Sequence, residues 1–355
     1  MKNLEKNIWK IDESSRISRV AWDWWWWLIF LPEKNSKKTK QLMILWSTKK
    51  CKKISVNDLW WERKGSLERT PEGAKFGGII AAWYFDGEKM ITPLILEEHE
   101  IFLKQGKIED SGHKFIMEGN GQFSLKIDTG NRKFILKTEN WTKFLSKERL
   151  TKEIYFGRNI YENLKIYGRK ISGKIIENGK GKKASGTAYF QRVNVNAPPI
   201  PWCWGMFHCS EGSFIEYFAS QIGLPCLKRT GMHESIFNNG EISLKKKLHF
   251  FHEPTKKHYK FSNFALKKIV DGELPTFLIT ASQKGKSLRM KLKTYSRVCW
   301  SFSQPLIRDF ATKLFYNEYP TSLEEFELRD GKKIITRGDL GRASGNSEFS
   351  WGVLF

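Results

Sequence analysis

The chain has 355 residues, 40% hydrophobic and 28% charged, a balance that excludes a disordered or fibrous protein and gives length enough for two domains or one very large β-barrel, of which two domains is the better prior. Its 61 Lys and Arg against 38 Asp and Glu give a net charge of +23 and a pI near 9.7, a charge that would suit nucleic acid or an anionic membrane surface. The lysines are scattered in short runs such as Lys37-Lys38, Lys49-Lys50 and Lys245 to Lys247, and no helix-turn-helix, zinc-finger or RNA-binding signature accompanies them. Nucleic acid is therefore set aside as a partner, and an anionic membrane surface is kept only as a peripheral contact.

Cys51, Cys203, Cys209, Cys226 and Cys299 are odd in number and widely spread, unlike a disulfide-stapled secreted domain. The charged start, Met1 to Asp12, lacks an apolar run with a cleavage site, so a cytoplasmic location is expected. Aromatics stand out: 15 Trp, 25 Phe and 10 Tyr, rigid side chains favoured in strands and in ligand-lining positions.

In chain order, the first element is the run Trp22-Asp23-Trp24-Trp25-Trp26-Trp27. The apolar stretch to Leu31 is too short to cross a bilayer as a helix, which takes roughly 20 residues, and it reads as a strand. Alternation then puts Asp23, Trp25 and Trp27 on one face and Trp22, Trp24 and Trp26 on the other. Hairpins follow, marked by Asp, Asn and Gly turns about every ten residues, the rhythm of a sandwich or barrel. They are Gly78 to Phe85 before Asp86-Gly87, Phe123 to Ile127 before Asp128-Thr129-Gly130 and Lys133 to Thr138, and Ile171 to Ile176 joined by Asn178-Gly179 to Ala184 to Gln191. Trp202 to Cys209 is joined by Gly212-Ser213 to Phe214 to Phe218. Only Asn159 to Tyr167 and Arg308 to Tyr316 are read as short helices.

A weak internal repeat runs through the chain. Ser172 to Gly179 leads into Ala184 to Gln191, and Phe326 to Gly331 leads into Gly341 to Phe349, each an apolar strand, a Gly turn and a Gly-containing strand. Two such hairpins predict two related barrels. The transition between them is placed within residues 192 to 235, after the Pro-rich link Asn194 to Pro201.

Several of these residues could carry chemistry. Asp23 among tryptophans could be a carboxyl kept protonated by desolvation, a general acid whose cationic product the aromatic faces would stabilise. The competing reading is that it accepts hydrogen bonds from indoles or an arginine and fixes its strand. In Pro201 to His208, alternation gathers Trp202, Trp204, Met206 and His208 on one face, either lining a cavity or filling a core. Cys203, His208, Cys209, Cys226 and His233 match no paired-ligand zinc spacing, and no metal is expected. The chain has no Walker loop, no Gly-x-Ser-x-Gly and no His-Glu-x-x-His.

Three segments resemble a known family, the lipocalin-like superfamily of carotenoid hydratases, AttH-type proteins and fungal pericyclases. An acid before paired aromatics is matched by Asp23-Trp24-Trp25. A Gly-containing strand, a Pro-rich link and a Trp-rich strand are matched by Gly186 to Gln191 and Trp202 to Ser213. A Gly-rich strand with a late glutamate is matched by Gly341 to Glu348. The resemblance implies an all-β protein of two tandem lipocalin-like domains with few short helices, residues 1–200 and 201–355. It also implies an apolar small-molecule ligand, an isoprenoid, polyene or lipid-like compound, and no cofactor.

The site residues it suggests are Asp23 and Glu348 for acid–base catalysis. Trp25, Trp27, Tyr189, Gln191, Arg192, Trp202, Trp204 and His208 would contact the ligand. The chain departs from the carotenoid hydratases after Tyr189-Phe190: it has Gln191-Arg192 where they have an Asp-His-like pair, and neither residue can protonate an alkene. Two readings stay open, a hydratase, isomerase or cyclase and a non-catalytic carrier of a hydrophobic ligand, ahead of a protein driven by charge alone.

Overall fold

The computed structural model describes residues 7–11, 21–48, 53–62, 67–119, 121–140, 149–155, 161–196, 201–222, 242–305 and 311–354. Aromatic and β-branched runs alternate with polar residues almost throughout, so the chain folds as β-strands. The first part holds β1 (Ala21–Leu31), β2 (Lys40–Thr48), β3 (Lys53–Val56), β4 (Leu59–Glu62), β5 (Glu68–Thr70), β6 (Gly73–Phe85) and β7 (Met90–Lys104). It continues through β8 (Lys107–Glu109), β9 (Lys114–Met117), β10 (Phe123–Asp128), β11 (Arg132–Thr138), β12 (Leu150–Tyr155), β13 (Tyr161–Glu177) and β14 (Lys180–Asn196).

The second part holds β15 (Trp202–Cys209), β16 (Phe214–Ile222), β17 (Ile242–His252), β18 (Lys257–Phe261), β19 (Ala265–Val270) and β20 (Pro275–Gln283). It ends with β21 (Lys286–Thr294), β22 (Val298–Pro305), β23 (Ala311–Asp330), β24 (Lys333–Thr336) and β25 (Ala343–Leu354). Among the described residues the helical pieces are short, and no helix is long and apolar enough to cross a membrane.

Sheet order is β11-β10-β9-β8-β7-β6-β2-β1-β14-β13, and pairing of β11 with β13 closes these ten antiparallel strands into a barrel. Closure removes the open edges. Its interior is filled by one row of each strand, including Trp25, Trp27 and Ile29 of β1 and Ala188 and Phe190 of β14, and Ile8, Trp9 and Ile11 pack into the same core. The second sheet runs β18-β17-β16-β15-β25-β23-β21-β20-β19 and buries Phe207, Tyr217, Phe250, Phe277 and Phe349 in a core of its own. The hairpin of β3 and β4 leaves the first part and joins this second sheet through β22, where Val56 pairs with Phe302 and Ser55 with Ser303.

The hairpins expected from turn residues form as read. At Asn178-Gly179 both residues take positive φ, 49° and 77°, as a two-residue turn between right-twisted strands requires. Gly186 has a different reason to be glycine: an added Cβ would lie 1.8 Å from the Phe30 carbonyl oxygen, so its absence lets β14 lie against β1.

Two expectations are corrected. Residues 161–167 and 311–316 are strand, not helix, inside β13 and β23; strands paired on both sides satisfy their backbones, so tertiary pairing decides where the local pattern does not. The second half of the internal repeat is not one hairpin. Glu327 to Asp330 turn back onto β24, whereas β25 pairs with the earlier stretch of β23, from Thr312 to Ser322.

Candidate active site between the two sheets

A third apolar cluster lies where the outside of the barrel meets one face of the second sheet. From the barrel it takes the outward row of β1, Trp26, Leu28 and Phe30, with Tyr167, Tyr189 and Trp83; from the second sheet it takes Trp204, Met206, Phe214 and Trp300. Strand alternation is the reason, since the residues between these on β1 and β15 belong to the two separate cores. Ile54 and Val56 of the β3–β4 hairpin pack on it as well. Two polar groups are buried in this aromatic layer.

The first is a pair of carboxyls. Glu348 on β25 stands directly opposite Glu318 on β23; opposed residues have Cβ atoms about 4.5–5.5 Å apart. Glu348 Oε1 accepts a hydrogen bond from the Tyr316 hydroxyl at 2.6 Å, and Oε2 accepts one from the Trp202 indole N–H at 2.7 Å. Burial pushes the Glu348 carboxyl up to about 7, against those two donors and the more distant Lys165 ammonium, which favour its charged form. Glu318 is wholly buried. It lies by the Trp83 and Trp300 indoles and the Tyr316 hydroxyl, yet neither of its oxygens closes a well-formed hydrogen bond. Burial first, and then the neighbouring Glu348 charge, hold it well above the usual carboxylate range. At neutral pH the pair thus offers a protonated acid beside a carboxyl poised between its two states, the division of labour acid–base chemistry uses.

This pair should be visible in stability. The folded state keeps both protons to higher pH than the unfolded chain, whose Glu titrates near about 4.3. The stability these groups contribute is therefore complete below that value and is lost as pH rises toward and through the folded values. Each group adds a slope of about 1.4 kcal/mol per pH unit across its window. Glu318→Gln removes one of the two, so chemical denaturation between pH 5 and 9 should show a shallower alkaline decline than in the parent; an unchanged slope would place Glu318 in its ordinary ionised state.

The second polar group is an ion network across the two sheets. Lys165 on β13 reaches Glu216 Oε1 on β16 at 2.5 Å and Glu153 Oε2 on β12 at 2.8 Å. Lys247 on β17 pairs with Glu153 and lies 3.6 Å from Glu216 Oε2. Glu216, wholly buried, also accepts from the Tyr167 hydroxyl and the Trp204 indole N–H, both at 3.0 Å. Burial pushes its carboxyl up, but the two ammonium groups overcome that and hold it below the usual range. Burial brings Lys247 down to about 8, with Lys165 adding repulsion. The ligand atoms of Glu153, Glu216 and His249 lie within 4.8 Å of one another, but the two lysines already supply the positive charge a metal would bring.

The residues singled out from sequence divide between two places. Trp202, Trp204, Tyr189, Gln191, His208 and Glu348 face the layer between the sheets, where Tyr189 packs 5.4 Å from Trp204 and donates to Gln191 Oε1 at 3.2 Å. His208 accepts from the Gly168 N–H on Nε2 at 3.1 Å and meets Thr187 Oγ1 through Nδ1 at 2.9 Å. This fixes the proton on Nδ1, and burial lowers its pKa to about 3, so the ring is neutral. Asp23, Trp25, Trp27 and Arg192 lie on the barrel side. Asp23 is ion-paired with Arg192 and accepts from Asn194 Nδ2 at 3.0 Å, while Arg192 also stacks 4.8 Å over Trp25. Cys226 and His233 of the weighed zinc set lie outside the described residues.

Sequence reasoning missed Glu318, Tyr316, Glu216 and Lys165. For Glu216 a signal was available: it is a polar residue in the row Phe214, Glu216, Phe218, which otherwise continues an aromatic face.

No family model matches the sequence, and no curated protein matches it. Solved structures do: a Nitrosomonas europaea protein assigned to AttH superposes with a TM-score of 0.56 over 96% of this chain and 96% of that one, at 9% identity. The chain shares that protein's fold. Kievitone hydratase from Nectria haematococca matches more loosely, with a TM-score of 0.45 at 10% identity over 92% of this chain and 88% of that chain. CghA with Sch210972 gives 0.45 at 7% identity over 97% and 94%. The lipocalin-like likeness carried by the three motifs holds at the level of fold. With the shared fold resting on so low an identity, every role assigned to a residue must come from this chain's own geometry.

Proposed function

We propose that this chain encloses an apolar small molecule in the aromatic layer between its two sheets and moves a proton on it, as a hydratase, isomerase or cyclase would. One observation carries the reading: Glu318 and Glu348, opposed across adjacent strands, are both raised by burial among Trp83, Trp202, Trp300 and Tyr316. Such a pair is costly in a purely structural layer. It has a use where an acid must protonate a carbon or oxygen of a ligand and a base must remove a proton beside it. The aromatic faces around it suit an apolar ligand on which positive charge develops. The protein side chains alone supply this chemistry, with Glu318 as acid, Glu348 as base, and Trp202 and Tyr316 orienting Glu348.

A carrier remains the second reading, favoured by the fact that Tyr316 and Trp202 already occupy both Glu348 oxygens. The test is mass spectrometry of an organic extract of the protein purified from a host that makes isoprenoids, against an equally purified control. A compound recovered near one per chain, and converted on incubation with fresh protein, supports the enzyme. A compound recovered unchanged supports the carrier, and an empty extract repeated in a host with the native metabolites counts against both.

A further inference from the structure

At the end of the barrel where β1 stops and the β13–β14 hairpin turns, the inner side is separated from the carboxyl pair by the barrel wall: Tyr84 faces inward and Trp83, beside Glu318, faces outward. A cavity of about 340 Å³ lies there, within the range of small-molecule sites. Its floor is apolar, made by Leu31, Tyr84, Ile175 and Ala184, and its rim carries Lys40, Lys180, Lys182 and Lys183 with Glu33 and Glu177. The sequence explains this change of character. The inward row of β14 runs Phe190, Ala188, Gly186, Ala184, and then at the mouth becomes Lys182 and Lys180.

The rim charges are not balanced. Glu33 is held by Lys40 at 2.6 Å, and Glu177 by Arg132 at 2.6 Å. Among the described residues no carboxylate lies within ion-pair distance of Lys180, Lys182 or Lys183. Two ammonium groups, those of Lys180 and Lys182, thus stand over an apolar floor, while Lys183 falls in the outward row opposite Lys174; Arg132 lies 4.9 Å over the ring of Tyr84.

We propose that this mouth is a binding site for an anionic amphiphile, with its carboxylate on Lys180 and Lys182 and its hydrocarbon end on Leu31, Tyr84 and Ile175. It is separate from the layer between the sheets and does not depend on the acid–base reading. The carboxylate gains charge-assisted hydrogen bonds from the lysines. Each methylene that reaches the floor strengthens binding about fourfold.

Calorimetry with hexanoate, octanoate and decanoate, all as monomers, tests it against decanol. Affinity is expected to rise about fourfold per methylene until the floor is covered, and decanol should bind at least tenfold more weakly than decanoate. The double variant Lys180→Gln with Lys182→Gln, on exposed side chains, should weaken decanoate at least tenfold with an unchanged circular dichroism spectrum. Trp202→Phe should leave decanoate binding unchanged. Equal affinity for decanol and decanoate, an unaffected double variant, loss of binding in Trp202→Phe, or no decanoate binding at all would overturn the proposal.

Discussion

The Glu348→Gln variant is expected to keep its apolar ligand and to turn it over roughly 10²–10⁴-fold more slowly, the usual worth of a positioned acid or base. The swap conserves volume and leaves the local hydrogen bonds satisfiable. The amide oxygen can accept from the Trp202 indole, and the amide nitrogen can donate to Tyr316, whose hydroxyl accepts as readily as it donates. What is lost is the capacity to exchange a proton near pH 7. In the parent, kcat/KM should rise as pH passes about 7, when Glu348 ionises, and fall again where Glu318, held well above the usual range, gives up its proton. The two midpoints belong to the coupled pair. In Glu348→Gln the acid limb should vanish, and in Glu318→Gln the alkaline one. Turnover unchanged in both variants would remove the pair from the chemistry, and binding retained with no turnover in the parent would leave the carrier.

Much of the fold was legible because its information is local. Turn pairs such as Asn178-Gly179 need positive φ, and period-two runs such as Trp24 to Phe30 must show alternate residues to different surroundings, so strands, hairpins and the all-β class could be read from one sequence. The faces of β1 and β15 were legible for the same reason. What the sequence could not show was which face meets which. Asp23 and Glu348 look alike as acids next to aromatics, yet Asp23 faces Arg192 at the barrel's inner side while Glu348 faces Trp202 and Tyr316 in the layer between the sheets. That difference is set by pairings such as Trp204 with Glu348 and Glu348 with Glu318, which join residues more than a hundred positions apart in the first case. Glu318 lies just past Arg308 to Tyr316, a stretch read as helix although Ala311 onward belongs to the same strand as Glu318. The β3–β4 hairpin, crossing from the first part of the chain to the second sheet, left no local mark that distinguishes it from any other short hairpin.

The ion network beside this pair is expected to make a large electrostatic contribution to stability, and Lys165→Met tests it. Glu216 is wholly buried; without Lys165 its nearest ammonium is Lys247, 3.6 Å from Oε2. Removing one member of a buried pair costs about 3–5 kcal/mol, because the remaining charge has lost both water and partner. Glu216→Gln added to Lys165→Met should recover part of that loss, since Tyr167 and Trp204 can still bond to a neutral amide oxygen. The sign with pH is opposite to that of Glu318. Glu216 and Glu153 are held below their ordinary range, so their stabilisation is present above the unfolded Glu value of about 4.3 and is lost as pH falls through the folded values. Lys165→Met should accordingly shrink the acid limb of the stability profile. It should also reach the carboxyl pair, because the Lys165 charge favours ionised Glu348: without it the midpoint near pH 7 in the rate profile moves upward. A loss of stability with no movement of that midpoint would mean that the network only holds the sheets together; movement of both would mean that the same four charges that join the sheets also set the proton affinity of the base.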